Sequence, residues 1–164
     1  IYGDVFKMPE PYIPKVGARV MSLSDPGAKM SKSDKDPNGS IYLMEKPEDI
    51  LRKFKRAVTD SDTENCVRYD PTGVSNLMSI YSAVTGRSFE AIEAEFDGKG
   101  YGAFKPAVGE AVVETLRPIR EEATRILGDK AYLESVYRAG AQKASYVAEK
   151  TLRKVYKKVG FVAR

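Results

Sequence analysis

The chain has 164 residues, of which 42% are hydrophobic and 30% charged, which is enough for one ordinary core with a well-solvated surface. Its formal net charge of +4 permits an anionic partner without requiring one. A single cysteine, Cys66, excludes an intramolecular disulfide, and no apolar run approaches the roughly 20 residues of a membrane helix, so we expect a cytoplasmic protein that is not bound to a membrane.

The first 40 residues differ in composition from the rest of the chain. They are rich in proline, glycine and short apolar runs, which excludes a long helix. Residues 19–23 form a short, largely apolar run that is bounded by Gly17 on one side and by Asp25 and Pro26 on the other, so the pattern predicts a strand. The clusters of Asp, Pro, Gly and Asn within residues 25–39 then predict a loop.

Beyond residue 40 the pattern becomes that of helices with recognisable ends. Pro47 suits the first turn of a helix, and the two acidic residues that follow it suit the positive helix terminus. A second helix is predicted over residues 74–85, ending at Gly86. Ser88 should cap a third helix. Three glycines within residues 98–102 predict a turn.

Two long helices are predicted in the C-terminal part of the chain. The first covers residues 104–127, and Pro118 should kink or divide it. The second runs from a cap at Asp129 to Val159, with a continuous apolar stripe along one face. The sequence therefore predicts a mainly α fold, with a helical bundle over residues 41–164 preceded by a short α/β tail in residues 1–40.

Residues 29–33 read Lys-Met-Ser-Lys-Ser and are the most informative stretch of the chain. A lysine ammonium is a compact point charge on a flexible stem that suits phosphate oxygens, and the two serines add hydroxyl donors. A solvated turn is the ordinary meaning of two lysines three residues apart. The pentapeptide is more specific than that spacing, because it is identical to the KMSKS signature of class I aminoacyl-tRNA synthetases. We call residues 29–33 the KMSKS loop.

The similarity extends along nearly the whole chain. Five segments resemble bacterial tryptophanyl-tRNA synthetases in order and approximate spacing: Arg19–Leu23, Ala57–Ser61, Ser75–Leu77, Gly98–Gly102 and Glu114–Ile119. The resemblance is to the C-terminal part of that family's chain. The other class I signature, an HIGH-type sequence, is absent, since the chain has no histidine. We therefore expect a C-terminal fragment that is inactive by itself.

The resemblance implies a fold and an activity. Residues 1–40 would be the end of a Rossmann-type catalytic domain that carries the KMSKS loop, and residues 41–164 a helical domain that binds the tRNA anticodon. The intact enzyme would be a tryptophan–tRNA ligase, which activates L-tryptophan with ATP to tryptophanyl-adenylate and transfers it to tRNA(Trp). The amino-acid pocket would lie in the missing half. The parent would be a homodimer and the fragment a monomer.

The resemblance also assigns roles within the loop. Lys32 would act on the leaving pyrophosphate, with Lys29 as the second catalytic cation. Lys29, Ser31 and Ser33 would help to hold the triphosphate, and Val20 and Met30 would lie near adenine. Mg²⁺ would arrive with ATP, and no metal site is predicted in the chain itself. We expect the loop to be mobile in the absence of ATP.

Basic residues on two predicted helices suggest a second kind of site. A run in the first helix, which includes Lys53, is typical of a solvated face. In the last helix four lysines fall close to one face, and the resemblance favours contact with tRNA phosphates there: Lys143, Lys150, Lys154 and Lys157. Two alternatives stay open, a tyrosyl-tRNA synthetase fragment and a non-catalytic tRNA-binding module.

Overall fold

The computed structural model describes residues 2–14, 17–59 and 73–162, and its architecture there is helical. The described residues form one short 3-10 helix, Pro37–Gly39, and five α-helices: α1 (Pro47–Arg56), α2 (Gly73–Thr85), α3 (Phe89–Phe96), α4 (Gly100–Leu127) and α5 (Lys130–Val159). The predicted mainly α fold is confirmed. The lone Cys66 and the end of the segment Ala57–Ser61 lie outside the described residues.

The helix ends follow from local chemistry, as the sequence predicts. The Ser88 hydroxyl accepts a hydrogen bond from the Ala91 amide at 3.3 Å and caps α3. The Asp129 carboxylate accepts from the Tyr132 amide at 2.9 Å and caps α5. Gly160 ends α5 with a left-handed φ of 84°, a conformation that glycine adopts without steric cost. Short-range capping therefore determines where these helices begin and end.

The predicted strand at residues 19–23 is wrong for the part of the chain that the structure describes. The segment forms an isolated antiparallel bridge between Met21 and Lys29. A strand needs successive pairs along its length. Here the partner segment turns back tightly, and the side-chain amide of Asn76 occupies the backbone N–H and C=O of Met21. The predicted α/β tail is thus reduced to one bridged hairpin.

Two further predictions in the helical region need correction. The predicted turn at residues 98–102 ends earlier, because α4 already begins at Gly100, where φ is +64°. Pro118, predicted to kink or divide the long helix, does not divide it, since α4 continues through it to Leu127. Proline removes one helical hydrogen bond. Arg117 forms ion pairs with Glu114 and Glu121 across this point, which adds modest support to the helix.

The residues divide into two compact units, of which Ile13–Glu121 is the larger. Its centre is an aromatic cluster in which Phe104 meets Phe96 at 5.0 Å and Tyr81 at 6.0 Å between ring centroids, all edge to face. Every buried hydrophobic residue of the described chain belongs to this unit: Leu23, Ile50, Phe54, Ala57, Val74, Leu77, Met78, Ile80, Tyr81, Ile92, Phe96, Phe104, Val108 and Val112.

The smaller unit comprises Ile1–Tyr12 and Glu122–Arg164. Helix α5 contains no buried residue among those described. Its predicted apolar stripe is present but open, with Val136 49% and Leu152 46% exposed. Phe6 and the α5 residues Val147, Leu152 and Val155 line a shallow groove of about 810 Å³.

The domain boundary predicted near residue 40 stays a prediction. The limits of the two compact units fall elsewhere, after Tyr12 and after Glu121. Leu23 belongs to the buried core of the larger unit, and Val20, Met30 and Ile41 pack against that core. The segment around the KMSKS loop is therefore part of the same packed unit as α1 to α3.

Candidate functional site

The KMSKS loop begins on the second arm of a tight hairpin. On either side of the bridge between Met21 and Lys29, the Ser22 amide donates to the Ala28 carbonyl at 2.9 Å and the Met30 amide donates to the Val20 carbonyl at 3.0 Å. The hairpin reverses at Asp25, whose carbonyl and carboxylate accept from the amides of residues 28 and 27, both at 3.0 Å. The sequence Asp-Pro-Gly thus makes the turn that places Lys29 beside Met21.

A second turn presents the rest of the motif. The Asp34 amide donates to the Ser31 carbonyl at 3.1 Å, and the Ser33 amide donates to the Ser31 hydroxyl at 3.2 Å. Lys32 and Ser33 lie at the exposed tip of this turn, and Lys29 is exposed next to it. The loop therefore presents two ammonium groups and a hydroxyl group to solvent, a set of donors that suits a polyphosphate.

The two residues assigned to adenine lie on the inner side of the loop. Val20 and Met30 are partly buried and pack against the hydrophobic core. The Met30 amide and the Val20 carbonyl are hydrogen-bonded to each other at 3.0 Å. Their side chains anchor the hairpin, and their role toward adenine stays a prediction. The predicted mobility of the loop likewise stays a prediction.

The chain packs closely just after the loop. The Asp36 carboxylate accepts from the Asn38 backbone N–H at 2.9 Å and caps the short helix Pro37–Gly39. Hydrogen bonds from the Asn38 backbone, then from the Ser24 hydroxyl and the Asn38 side chain, hold the pKa of Asp36 below its usual value. A Cβ on Gly39 would lie 2.4 Å from the Ser22 hydroxyl oxygen, so a larger residue would have to displace that buried side chain.

The interpretation of the first basic run as a solvated face is wrong for Lys53, whose side chain is buried. It is 5% exposed, and its ammonium donates to the Ser40 carbonyl at 2.8 Å and pairs with the Glu45 carboxylate at 2.6 Å. The sequence held a signal for this. Lys53 lies three residues after Ile50 and immediately before Phe54, so it shares the buried face of α1.

Asn76 is a second residue that the analysis of the sequence missed. It is 7% exposed, and its side-chain amide forms two hydrogen bonds of 2.9 Å with the backbone of Met21. The same kind of signal was available, because Asn76 falls between Gly73 and Ile80 on the buried face of α2. A polar residue on a buried helix face needs a hydrogen-bonding partner, and here the partner is the hairpin.

The four lysines assigned to nucleic acid lie on α5 in the smaller unit, and all are exposed. In the described chain, none of them forms an ion pair with an acidic side chain, whereas Arg138 and Arg153 on the same helix do. Lys154 and Lys157 line a concavity of about 430 Å³ together with Lys158, Asp4 and Val5. The arrangement is a basic surface suited to phosphate groups, and its role toward RNA stays a prediction.

Metal-binding clusters and membrane-spanning helices are both absent from the described residues. No group of three or more His, Cys, Asp or Glu side chains could hold a metal ion there. None of the helices seen in that part of the chain is long and apolar enough to span a membrane.

Comparison with known proteins places these features in a family. The sequence model of the family described as tRNA synthetases class I (W and Y) matches residues 2–117. A protein of Wolinella succinogenes named tryptophan–tRNA ligase is 52% identical over 163 residues, which is 98% of this chain and 49% of the relative. The chain thus spans about half the length of the curated relatives that it matches.

Solved structures agree with the sequence comparison. Tryptophanyl-tRNA synthetase from Mycoplasma pneumoniae superposes with a TM-score of 0.75 at 30% identity, covering 91% of this chain and 45% of the other. The enzyme from Campylobacter jejuni, solved with ADP and tryptophan, gives a TM-score of 0.70 at 26% identity and covers 98% of this chain and 49% of the other. The similarity therefore covers nearly all of this chain and about half of each solved enzyme.

Proposed function

The chain belongs to the class I tRNA synthetases of the tryptophan and tyrosine group, and we propose that it forms the phosphate-binding loop and the RNA-binding helices of a tryptophan–tRNA ligase. One observation carries the proposal. A KMSKS sequence lies on an anchored hairpin with both lysines exposed, in a chain 52% identical to a tryptophan–tRNA ligase. The reaction would be activation of L-tryptophan by ATP, followed by transfer to tRNA(Trp).

Lys32 has the central catalytic role in this proposal. ATP enters as its magnesium complex, and attack of the tryptophan carboxylate on the α-phosphorus releases pyrophosphate. Negative charge then grows on the β- and γ-phosphates. A cation that is placed where this charge develops lowers the barrier more than one that binds only the ground state. Lys32 is exposed at the loop tip, where its ammonium can approach these oxygens from solvent.

The other loop residues would orient the nucleotide. Lys29 neutralises phosphate charge next to Lys32, and the hydroxyls of Ser31 and Ser33 donate to phosphate oxygens. Val20 and Met30 would lie near the adenine ring. Because Met30 packs on the hydrophobic core, closure of the loop over ATP would involve its tip more than its base.

Helix α5 would contact the RNA. The lysines at positions 143, 150, 154 and 157 are spaced by seven, four and three residues, which places them on one side of a helix. Exposed cations bind RNA phosphates and release counterions, so binding of this kind weakens steeply with salt. We propose tRNA(Trp) as the partner, in a homodimeric enzyme of the cytoplasm, with tryptophan bound in the half of the enzyme that this chain does not cover.

The test is a completion experiment. The chain is fused to the complementary half of the Wolinella succinogenes tryptophan–tRNA ligase, and tryptophan-dependent exchange of pyrophosphate into ATP is measured. We expect exchange from the fusion, none from the 164-residue chain alone, and a large loss with Lys32→Ala. A folded fusion without exchange would refute the proposal.

The tyrosine alternative is addressed by a parallel fusion to the corresponding half of a tyrosine–tRNA ligase. Completion of the tyrosine enzyme and not of the tryptophan enzyme would favour that alternative. A chain that binds tRNA but completes neither enzyme would be a non-catalytic RNA-binding module.

A further inference from the structure

Helix α2 contacts the hairpin through the side chain of Asn76. The Asn76 side chain accepts a hydrogen bond from the Met21 amide and donates one to the Met21 carbonyl, each at 2.9 Å, across 55 positions of sequence. Two hydrogen bonds to one residue fix both its position and its orientation. Because Asn76 is only 7% exposed, water cannot readily replace either bond.

Met21 transmits this constraint to the motif. It is the bridge partner of Lys29, and backbone hydrogen bonds of 2.9 and 3.0 Å lie on either side of the bridge. The backbone of Lys29 therefore cannot shift relative to Met21 without breaking the hairpin. A continuous series of contacts runs from α2 through Asn76 and Met21 to Lys29.

A second series of contacts reaches the other side of the loop from α1. The buried Lys53 ammonium donates to the Ser40 carbonyl at 2.8 Å and pairs with Glu45 at 2.6 Å. The Ser40 hydroxyl in turn donates to the Ser31 carbonyl at 2.8 Å. That carbonyl also accepts the Asp34 amide, which closes the turn that exposes Lys32. The position of the Lys32 turn therefore depends on Lys53.

The cost of these contacts suggests that they have a role beyond stability. A buried ion pair is often no more stabilising than apolar side chains of the same volume, because removing two charges from water is costly. A buried asparagine likewise contributes little net stability but imposes a defined geometry. Both residues lie on helix faces that are otherwise apolar, and each makes its hydrogen bonds to the segment around the loop.

We infer that Asn76 and Lys53 are positioning residues, which hold Lys29 and Lys32 in the geometry required to bind the triphosphate of ATP and the pyrophosphate that leaves it. Neither residue touches the nucleotide itself. The inference rests on the proposed function for its ligand, but the coupling between helices and loop can be measured without any activity. In this arrangement the helices α1 and α2 determine where the catalytic cations lie.

Three variants of the 164-residue chain test the coupling. Asn76→Asp keeps the shape and the acceptor for the Met21 amide but removes the donor to the Met21 carbonyl. Asn76→Leu removes both bonds. Lys53→Met keeps most of the aliphatic stem and removes the charge. The matched controls are Lys55→Met, at an exposed position of α1, and Gln142→Glu, at an exposed position of α5.

The first readout is amide hydrogen exchange, resolved by residue. Loss of one buried hydrogen bond should accelerate exchange about tenfold or more at the amides it supports. We expect this at Ser22 and Met30 in the Asn76 variants and at Asp34 in Lys53→Met. Exchange at Val108, in the buried core of α4, should stay within about twofold. Unchanged exchange in the hairpin, or equal acceleration at Val108, would overturn the coupling and leave a merely structural role.

The second readout is kinetics in the active fusion enzyme. A displaced loop should lower kcat for tryptophan-dependent pyrophosphate exchange about tenfold, with a smaller change in KM for ATP, because the lysines act mainly in the transition state. The two controls should keep the parent kcat. Faster amide hydrogen exchange at Ser22 with an unchanged kcat would overturn the positioning role. If the parent fusion is inactive, the proposed function fails, while the amide exchange data still decide whether the helices hold the loop.

Discussion

The two compact units use the same kind of sequence pattern with different results. Both contain helices with apolar residues at helical spacing. In the unit Ile13–Glu121 these residues are buried around Phe104, whereas in the unit that contains α5 the stripe of Val136, Val147 and Leu152 stays between 46% and 64% exposed. Helical periodicity therefore predicts that a face can form a contact. It does not predict whether another part of the described chain makes that contact.

The largest expected effect is on stability, and it contrasts the two units. Phe104→Ala should lower the free energy of unfolding by about 3–5 kcal/mol, because it removes a fully buried ring and leaves a cavity. Leu152→Ala, at a position 46% exposed, should cost about 0.5 kcal/mol or less. Urea denaturation followed by circular dichroism measures both. Equal losses of unfolding free energy would mean that α5 is packed as firmly as the core, which would remove the distinction between the two units.

The next effect separates catalysis from RNA binding. In the active fusion enzyme, Lys32→Ala should lower kcat for activation by about 10²–10³, the usual effect of losing one electrostatic contact to the transition state. Binding of tRNA should not change, because Lys32 lies in the other unit from the α5 lysines. Steady-state kinetics and tRNA titration give the two answers. A change confined to KM for ATP would assign Lys32 to ground-state binding alone.

Two glycine substitutions should have opposite signs. A Cβ at Gly73 would lie 1.8 Å from the Val58 carbonyl oxygen, so Gly73→Ala should destabilise the larger unit by about 1–3 kcal/mol. A Cβ at Gly140 meets nothing within 4 Å, so Gly140→Ala should stabilise α5 by roughly 0.5–1 kcal/mol through helix propensity. Thermal unfolding checks the signs. A loss of stability with Gly140→Ala would show that α5 is covered in solution.

A smaller effect tests the RNA surface of α5. Replacing Lys150 and Lys154 by Ala should flatten the slope of log K against log salt for tRNA binding by about 1.4–1.8, since each phosphate contact contributes roughly 0.7–0.9. Pyrophosphate exchange should stay almost unchanged. Fluorescence titration over a salt series measures the slope. An identical slope in the double variant would leave these lysines as a solvated surface.

The smallest effect is a local response to acid. The pKa of Asp36 is lowered chiefly by the Asn38 backbone N–H, so the ionised carboxylate stabilises the fold. This contribution is present above the usual pKa of 3.8 and is lost as pH falls through the lower value in the fold. Amide exchange at Asn38 should rise in that range relative to α4. Asp36→Asn should remove this pH dependence, and an unaltered profile would show that another group titrates.

The residues of the KMSKS loop could be predicted from the sequence, but the contacts that hold the loop in place could not. The KMSKS residues and the caps at Ser88 and Asp129 are local features, determined by residues a few positions apart. The contact between Asn76 and Met21 joins positions 55 residues apart, and that between Lys53 and Ser40 depends on how α1 packs. The helical spacing placed both side chains on buried faces without indicating what they would bind.

The sequence by itself determined most of the helices, the ends set by Ser88, Asp129 and Gly160, and the motif that identifies the family, because capping, periodicity and turn chemistry act over a few residues. Tertiary structure alone decided that residues 19–23 form one arm of a bridged hairpin and that Lys53 is buried. It also decided that the α5 stripe remains open. Burial depends on which distant surfaces meet, and hydrogen-bonding groups such as the Met21 backbone take whichever partner packing brings within reach.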